Sequence, residues 1–322
     1  MTKRTAVIAG ASGFLGRALH AALGDDGFRV RTVGRRGDAT WADPDAIAAE
    51  IDGSDVLINL AGKNVNCRYT DAARDEILRS RVETTRALRA AVERAARPPA
   101  VWLNASTATI YRHEMRAPNT EATGVIGTGF SVDVARAWEA ELFAGDPPPT
   151  RRVALRMAVV LGDGPATNLL LRLARTGLGG TQYDCWAPPH RRYRGIGAEP
   201  TDDPAHWHRT RGRQRFSWIH VDDVIGGVRF LIDRDDLAGP VNLAAPNPSD
   251  NRTLMRTLRR VVGAPIGLPS NRLMLEPAMW VLRTEPELVL KSRWVLPGVL
   301  DASGYRFAFP ELEPALRSIA TR

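Results

Sequence analysis

The chain has 322 residues, 44% of them hydrophobic and 25% charged, with a formal net charge of +8. That length suits one large α/β domain or a nucleotide domain with a smaller lobe, because single cores rarely grow past ~250–300 residues, and no apolar run approaches the ~20 residues of a membrane helix. Cys67 and Cys185 are the only cysteines, which excludes a disulfide framework, and the basic excess rests on scattered arginines, with lysine only at Lys3, Lys63 and Lys291: a solvated surface that draws anionic cofactors or substrates rather than a nucleic-acid face.

The first residues run straight into a strand and a glycine turn and leave no room for a cleavable apolar segment, so a cytoplasmic protein is expected. Thr5–Ala9, Arg29–Val33, Val56–Leu60, Val101–Ala105 and Val153–Val160 read as buried strands, each apolar and each ending in small or polar residues. Between them lie helical patterns: Leu15–Leu23, Asp71–Val92 with Leu78, Val82, Thr85 and Leu88 on one side and Asp71 placed to cap, and Val132–Phe143. This alternation predicts an α/β fold with a Rossmann-type doubly wound parallel sheet.

Past residue 162 the alternation loosens at Gly162-Asp163-Gly164 and Gly177-Leu178-Gly179-Gly180, where a smaller C-terminal substrate lobe begins. The predicted division is therefore a nucleotide-binding domain over 1–162 and a substrate lobe with a C-terminal extension over 163–322. Later strands return to the sheet near 215–245: Phe216–Ile219 and Val241–Ala244 read as strands and Val224–Ile232 as a helix. Thr181–Arg211, rich in Pro, Arg, His and Trp, reads as an inserted loop. Its His190, His206, His208 and Cys185 are spaced too irregularly for a metal set, so no metal is expected, whereas Trp186, Tyr193 and Trp207 suit a lid over substrate or a subunit contact in a monomer or homodimer.

The stretch Gly10-Ala11-Ser12-Gly13-Phe14-Leu15-Gly16 sits between a strand and a helix, the arrangement that binds a pyrophosphate. One glycine permits the turn, a second admits the phosphates to the backbone, and a third lets helix and strand pack closely, while free N–H groups and the helix dipole face the anion. The other reading is a tight loop without a ligand. After the second strand, Val33-Gly34-Arg35-Arg36 offers guanidinium groups where an acidic residue would select NAD, so Arg35 and Arg36 point to the 2′-phosphate of NADP(H), unless they only solvate the turn and Asp38 swings in. At the end of the third strand, the small residues of Leu60-Ala61-Gly62 let a cofactor lie on the sheet's carboxyl edge, or mark a buried strand end with a glycine stop.

With these residues in hand, the sequence resembles the extended short-chain dehydrogenase/reductase superfamily, and more narrowly its epimerase-like subgroup with a C-terminal extension. The resemblance is carried by Gly10–Gly16, Asn59–Gly62, Ser80–Thr85, Ala105–Tyr111, Ala137-Trp138-Glu139, Arg156–Gly162, Trp218–Asp223 and Ser292–Pro297. It implies a nicotinamide cofactor and hydride transfer on a small carbonyl or hydroxyl substrate, with Thr107 or Ser106 where the superfamily keeps a hydroxyl on the reacting oxygen. Asp222 and Asp223 would sit in a strand-to-helix junction that packs the lobe onto the cofactor domain, or simply cap the helix from Val224.

The superfamily's Tyr-x-x-x-Lys pair is missing: none of Tyr69, Tyr111, Tyr183, Tyr193 and Tyr305 has a lysine four residues on. The candidates for the proton are Tyr111, Thr107 and Ser106, with Arg136 as a cation near the cofactor ribose. Each also has a structural reading: a packed tyrosine, hydroxyls bonded to backbone, an arginine in a surface pair. Two functions follow, an NADP(H)-dependent oxidoreductase or epimerase, or a non-catalytic NADP(H)-binding sensor or scaffold that lost the proton donor.

Overall fold

The structure, a computed structural model, describes residues 3–145, 149–184, 186–187, 206–207, 210–281 and 290–321. In chain order β1 (Thr5–Ala9), α1 (Phe14–Asp25), β2 (Arg29–Gly34), β3 (Ala39–Thr40), α2 (Pro44–Ile51), β4 (Val56–Asn59), α3 (Asp71–Arg94), β5 (Val101–Thr107), α4 (Phe130–Phe143) and β6 (Arg151–Met157) alternate. There follow β7 (Val159–Leu161), α5 (Pro165–Arg175), β8 (Gln182–Tyr183), β9 (Trp186–Ala187), β10 (His206–Trp207), β11 (Arg215–Phe216), β12 (Trp218–His220), α6 (Val221–Ile232) and β13 (Gly239–Leu243). The remainder holds β14 (Ser249–Asp250), α7 (Asn251–Val262), β15 (Ser270–Asn271), α8 (Arg272–Val281), α9 (Gly298–Ala302) and α10 (Leu312–Ala320).

Seven strands form one parallel sheet in the order β13-β6-β5-β4-β1-β2-β3. The central strands are apolar along their length because both faces are covered. On one face Leu19 and Leu23 of α1 and Val224, Val228 and Leu231 of α6 pack on Ile8, Ile58, Leu103 and Leu155. On the other, Ile47 and Ile51 of α2, Leu88 and Val92 of α3 and Leu142 of α4 pack on Val7, Leu57 and Trp102. This is the Rossmann-like, doubly wound α/β fold expected from the alternation. The strand order reverses between β1 and β4, and ligands of such sheets lie at the carboxyl ends beside that reversal. A second cluster joins Leu171 and Ala174 of α5, Leu254 and Leu258 of α7 and Leu316 and Ile319 of α10 around Trp218.

Five local expectations are corrected. The apolar run Val153–Val160 is two strands, because Ala158 N–H still bonds to Leu243 of β13 while Val159 N–H turns to Ser217, so that β7 pairs with β12 outside the main sheet. Phe216–Ile219 is divided at Ser217, whose hydroxyl donates to Arg293 O at 2.8 Å. Helix α3 is capped by Thr70, whose hydroxyl accepts from Ala73 N at 3.2 Å; Asp71 is its first residue. Helix α6 starts at Val221, three residues early, capped by Nδ1 of the buried His220, which accepts from Asp222 N at 3.1 Å. Asp223 does not cap it: its carboxylate accepts from Ala308 N at 2.6 Å and Phe309 N at 2.9 Å, tying the C-terminal extension to α6.

Within 181–211, β8 pairs with β15 and β9 with β10. The side chains on which the lid and metal readings rest, Cys185, Trp186, His190, Tyr193, His206, Trp207 and His208, lie outside the described residues, and among the described residues no cluster of three metal-ligating side chains occurs.

Candidate functional site

At the reversal between β1 and β4 lies a cleft of about 410 Å³, floored by Gly10, Gly13, Phe14, Leu15, Gly16 and Leu60 at one side and walled by Ala105, Ser106 and Thr107 at the end of β5 and Thr109 just beyond it. The three glycines carry different geometrical burdens. Gly10 has φ of +84° and lies against the Leu60–Ala61 backbone, where a Cβ would sit 2.9 Å from Ala61 N. A Cβ on Gly16 would fall 2.3 Å from Gly10 O, so this glycine lets α1 seat on β1. At Gly13, with φ of −72°, a Cβ would meet nothing of the protein closer than Gly10 O at 3.5 Å. The space beside Gly13 is therefore open on the protein's side, and no side chain caps α1 there, nor does its first turn carry an acidic residue. An amino end left bare in this way is suited to an anion.

The neighbouring turn is fixed from beneath. Asn59, fully buried, accepts from Ala61 N at 3.0 Å and donates to Asn104 Oδ1 at 2.7 Å and to Thr85 Oγ1 at 3.0 Å, while Trp138 Nε1 donates to the same Thr85 hydroxyl. Thus the stretches Asn59–Gly62, Ser80–Thr85 and Ala137–Glu139 meet in one network. Ala61 and Gly62 shape this turn without lining the cleft, and Ser12 is an exposed residue whose carbonyl receives Arg17 Nη1. Phe14 lies on the Gly162–Gly164 turn, where a Cβ on Gly162 would come within 2.7 Å of its ring.

Arg35 and Arg36 are exposed in the turn from β2 to β3, beyond the cleft lining. Asp38 is turned away from service there: its Oδ2 accepts from Thr32 N at 2.7 Å and Thr32 Oγ1 at 2.8 Å, and these bonds hold its pKa below the usual carboxylate value.

The hydroxyl candidates separate sharply. Ser106 is buried in the cleft wall and donates to Glu139 Oε1 at 2.6 Å. Thr107 Oγ1 accepts from Thr109 N and donates to Thr109 Oγ1, both at 3.1 Å. Thr109, which the sequence does not single out because it lies in a one-turn helix after the strand, joins the lining, its hydroxyl accepting from Thr107. Tyr111 is not in the cleft. It is 2% exposed, its hydroxyl donates to Asn242 Oδ1 at 2.9 Å and accepts from Arg156 Nη1 at 2.9 Å, and burial pushes its pKa up against the opposing pull of Arg156. Arg156 in turn meets Glu139 through two bonds of 2.8 and 2.7 Å, and although burial works against its charge, this pairing raises its pKa. Arg136 is exposed on α4, outside the lining.

Among the described residues, one charged side chain lines the cleft: Arg81 of α3, from the Ser80–Thr85 stretch, a residue that no spacing signal separates from the many other arginines.

Comparison with known proteins gives concordant results. Residues 6–131 match the model of the NAD dependent epimerase/dehydratase family, and residues 278–319 match DUF1731, a domain of unknown function. Epimerase family protein YfhF of Bacillus subtilis is 29% identical over 320 residues, 96% of each chain. Epimerase family protein SDR39U1 of Homo sapiens is 29% identical over 97% of this chain and 98% of its own. The crystal structure of human SDR39U1 (isoform 2) with NADPH superposes with a TM-score of 0.82 at 28% identity, covering 98% of this chain and 99% of that one. The epimerase-like resemblance read from the motifs, including a distinct C-terminal extension, therefore holds.

Proposed function

We propose that this protein, in which an NAD dependent epimerase/dehydratase family domain is joined to DUF1731, is an NADP(H)-dependent oxidoreductase or epimerase acting on a small carbonyl or hydroxyl substrate. The observation that carries the reading is the uncapped amino end of α1 beside Gly13, open to the cleft, together with two guanidinium groups after β2 and an Asp38 tied to Thr32. In this reading the amides of Phe14 and Leu15 hold the pyrophosphate, Gly10 and Gly16 set the turn, with the Gly13 amide closing it on Gly10 O, and Arg35 and Arg36 take the 2′-phosphate. The domain to about residue 162 serves the cofactor, and the lobe beyond it the substrate. The crystal structure of a 28% identical relative with NADPH supports the choice of cofactor. When bound, the nicotinamide supplies or accepts a hydride.

The residues of the chain supply the oxygen's partners. Ser106, which donates to Glu139, is oriented to accept a hydrogen bond from an alcohol, and takes the alcohol's proton only as its own passes to Glu139. Thr107 places its proton on Thr109, which leaves the Thr109 hydroxyl to donate to a carbonyl oxygen. Polarisation by a fixed donor takes over the missing phenol's hydrogen bond, and the proton that the reduced oxygen needs comes from solvent water. A second reading is favoured by one observation, the engagement of both sides of the Tyr111 hydroxyl: a non-catalytic NADP(H) sensor.

Calorimetry with NADPH and NADH tests the binding step, with NADPH expected to bind more tightly and no heat with either nucleotide refuting it. NADPH oxidation with a panel of small carbonyl compounds then separates the two readings. Turnover above the enzyme-free rate supports catalysis; tight binding with none across the panel supports the sensor.

A further inference from the structure

The cleft beside Gly13 is lined by apolar residues, hydroxyls and one charged side chain, the guanidinium of Arg81; among the described residues no carboxylate, lysine or histidine lines it. Arg81 reaches the cleft from α3 with its side chain clamped on three sides. Its Nη1 donates to Ile77 O at 2.9 Å, its Nη2 donates to Lys63 O at 3.1 Å, and its carbon Cζ lies 5.0 Å from the Trp138 ring centre. Gly62 is glycine at the point where it passes this group: a Cβ there would stand 3.2 Å from Arg81 Cζ.

These contacts position the guanidinium without neutralising it. Two of its five N–H groups are used on carbonyls, and no ion pair with a carboxylate is formed among the described residues. Arg156, by contrast, has Glu139, Arg89 has Glu141, and Arg272 has Asp184 and Glu276, while Arg151, which like Arg81 donates to two carbonyls, Leu231 O and Leu237 O, lies outside the cleft. Burial brings the Arg81 pKa down to about 10, and its ionisable neighbours are the phenol of Tyr69 and the thiol of Cys67, so at neutral pH it keeps its proton and faces no fixed anion. A cation withdrawn from water without a counter-charge is costly, and a fixed, half-saturated guanidinium is the best protein group for a carboxylate or phosphate. In the proposed reading the pyrophosphate and the 2′-phosphate have their own partners in the amides after Gly13 and in Arg35 and Arg36. Arg81 comes from a different element, α3, and shares the cleft lining with Tyr69, Phe130, Ser131 and Trp138.

We propose that Arg81 is the substrate's anion anchor, and that the substrate of this cleft carries a carboxylate or a phosphate beside its carbonyl or hydroxyl carbon. The inference rests on the proposed NADP(H)-dependent role and adds to it the chemical class of the substrate.

The test uses the full chain, with and without saturating NADP⁺, titrated calorimetrically with pyruvate and dihydroxyacetone phosphate and with their uncharged counterparts pyruvamide and dihydroxyacetone. At least one charged probe is expected to bind and its uncharged counterpart not to. Arg81→Met should weaken that probe about tenfold or more, as loss of a charge-assisted pair does, Arg81→Lys should retain part of the affinity, and NADP⁺ affinity should stay within about twofold. A folding defect in either variant is bypassed in the unmodified protein by phenylglyoxal labelling read by mass spectrometry: the charged probe should protect Arg81 and the uncharged one should not. The proposal is overturned if neither charged probe binds, if charged and uncharged probes bind alike, or if Arg81→Met costs NADP⁺ tenfold while sparing the anions, which would assign Arg81 to the cofactor. Failure of the NADP(H) reading is seen separately, as absent nucleotide binding in the unmodified protein with Arg81-dependent anion binding intact.

Discussion

Replacing Gly13 and Gly16 one at a time by alanine separates ligand space from packing space. At Gly13 a Cβ meets only ordinary contact, 3.5 Å from Gly10 O, and the backbone is already in a region open to alanine. The cost to stability is that of a poorer helix-start residue, at most about 1 kcal/mol. At Gly16 the Cβ would lie 2.3 Å from Gly10 O and 2.7 Å from Ala11 Cα, both backbone atoms that cannot rotate away. Overpacking of this kind costs about 1–3 kcal/mol, and the better helix propensity of alanine returns less than about 1, so a net loss of about 2 kcal/mol is expected. With an unfolding entropy of ~2.1 cal/mol/K per residue, a chain of 322 residues loses about 3 °C in Tm for that amount. Gly13→Ala should instead keep its Tm within about 1.5 °C and lose at least about tenfold in NADPH affinity, ~1.4 kcal/mol, because the methyl group enters the space before the amides. Differential scanning calorimetry and nucleotide titration on the same samples measure both quantities. The reasoning fails if Gly13→Ala binds NADPH as the parent does, or if Gly16→Ala melts unchanged.

Further outcomes follow from other parts of the structure. Changing Arg35 and Arg36 together to alanine should lower NADPH affinity about tenfold to a hundredfold and leave NADH affinity within about twofold, as read by competitive titration. Arg156→Met leaves the Glu139 carboxylate buried without its partner, so chemical denaturation should show a loss of about 3–5 kcal/mol; a change under 1 kcal/mol would mean that the pair is not formed. Glu114 accepts from the N–H groups of Arg116 and Met115 and from Arg112, which hold its pKa down to about 2 against an ordinary 4.5. A depressed folded-state value contributes stability above pH 4.5 that is lost as the pH falls toward 2, so Glu114→Gln should flatten the acid limb of Tm against pH in that window; an unaltered limb would contradict the assignment.

The sheet was legible because parallel strands buried on both faces have to be short apolar runs, and residues 5–9, 56–59 and 101–107 carry almost nothing else. The glycine turn was legible because its residue types follow from backbone geometry alone. Where the chain changes hydrogen-bond partner without changing composition, as at Ala158, hydropathy gives no warning, and one expected strand became two. Helix caps were misassigned for a related reason: the side chains of Thr70 and His220 take the capping positions, and Asp223 is recruited by a segment 85 residues away. Tyr111 shows the same limit at the site. Its sequence position beside the Ser106–Thr107 hydroxyls suggested a proton donor, whereas Asn242, 131 residues on, and Arg156 hold it in the core. Arg81 could not be distinguished by sequence, since what sets it apart is its place in the cleft lining, held on two carbonyls, which only the tertiary fold decides.

The attachment of the C-terminal extension also bears on how the chain can be shortened. Leu300, Tyr305 and Phe307 enter the core on the α6 side of the sheet, Tyr305 donates its hydroxyl to Asp223 O, and the two amides after Phe307 close on the Asp223 carboxylate. Residues 298–309 are thus a girdle around α6 rather than a dangling appendix. A chain cut before residue 298 would bare apolar surface along the flank that also supports α1 and, through it, the glycine turn, so a sheet domain stripped of its tail is expected to clump before it can be assayed.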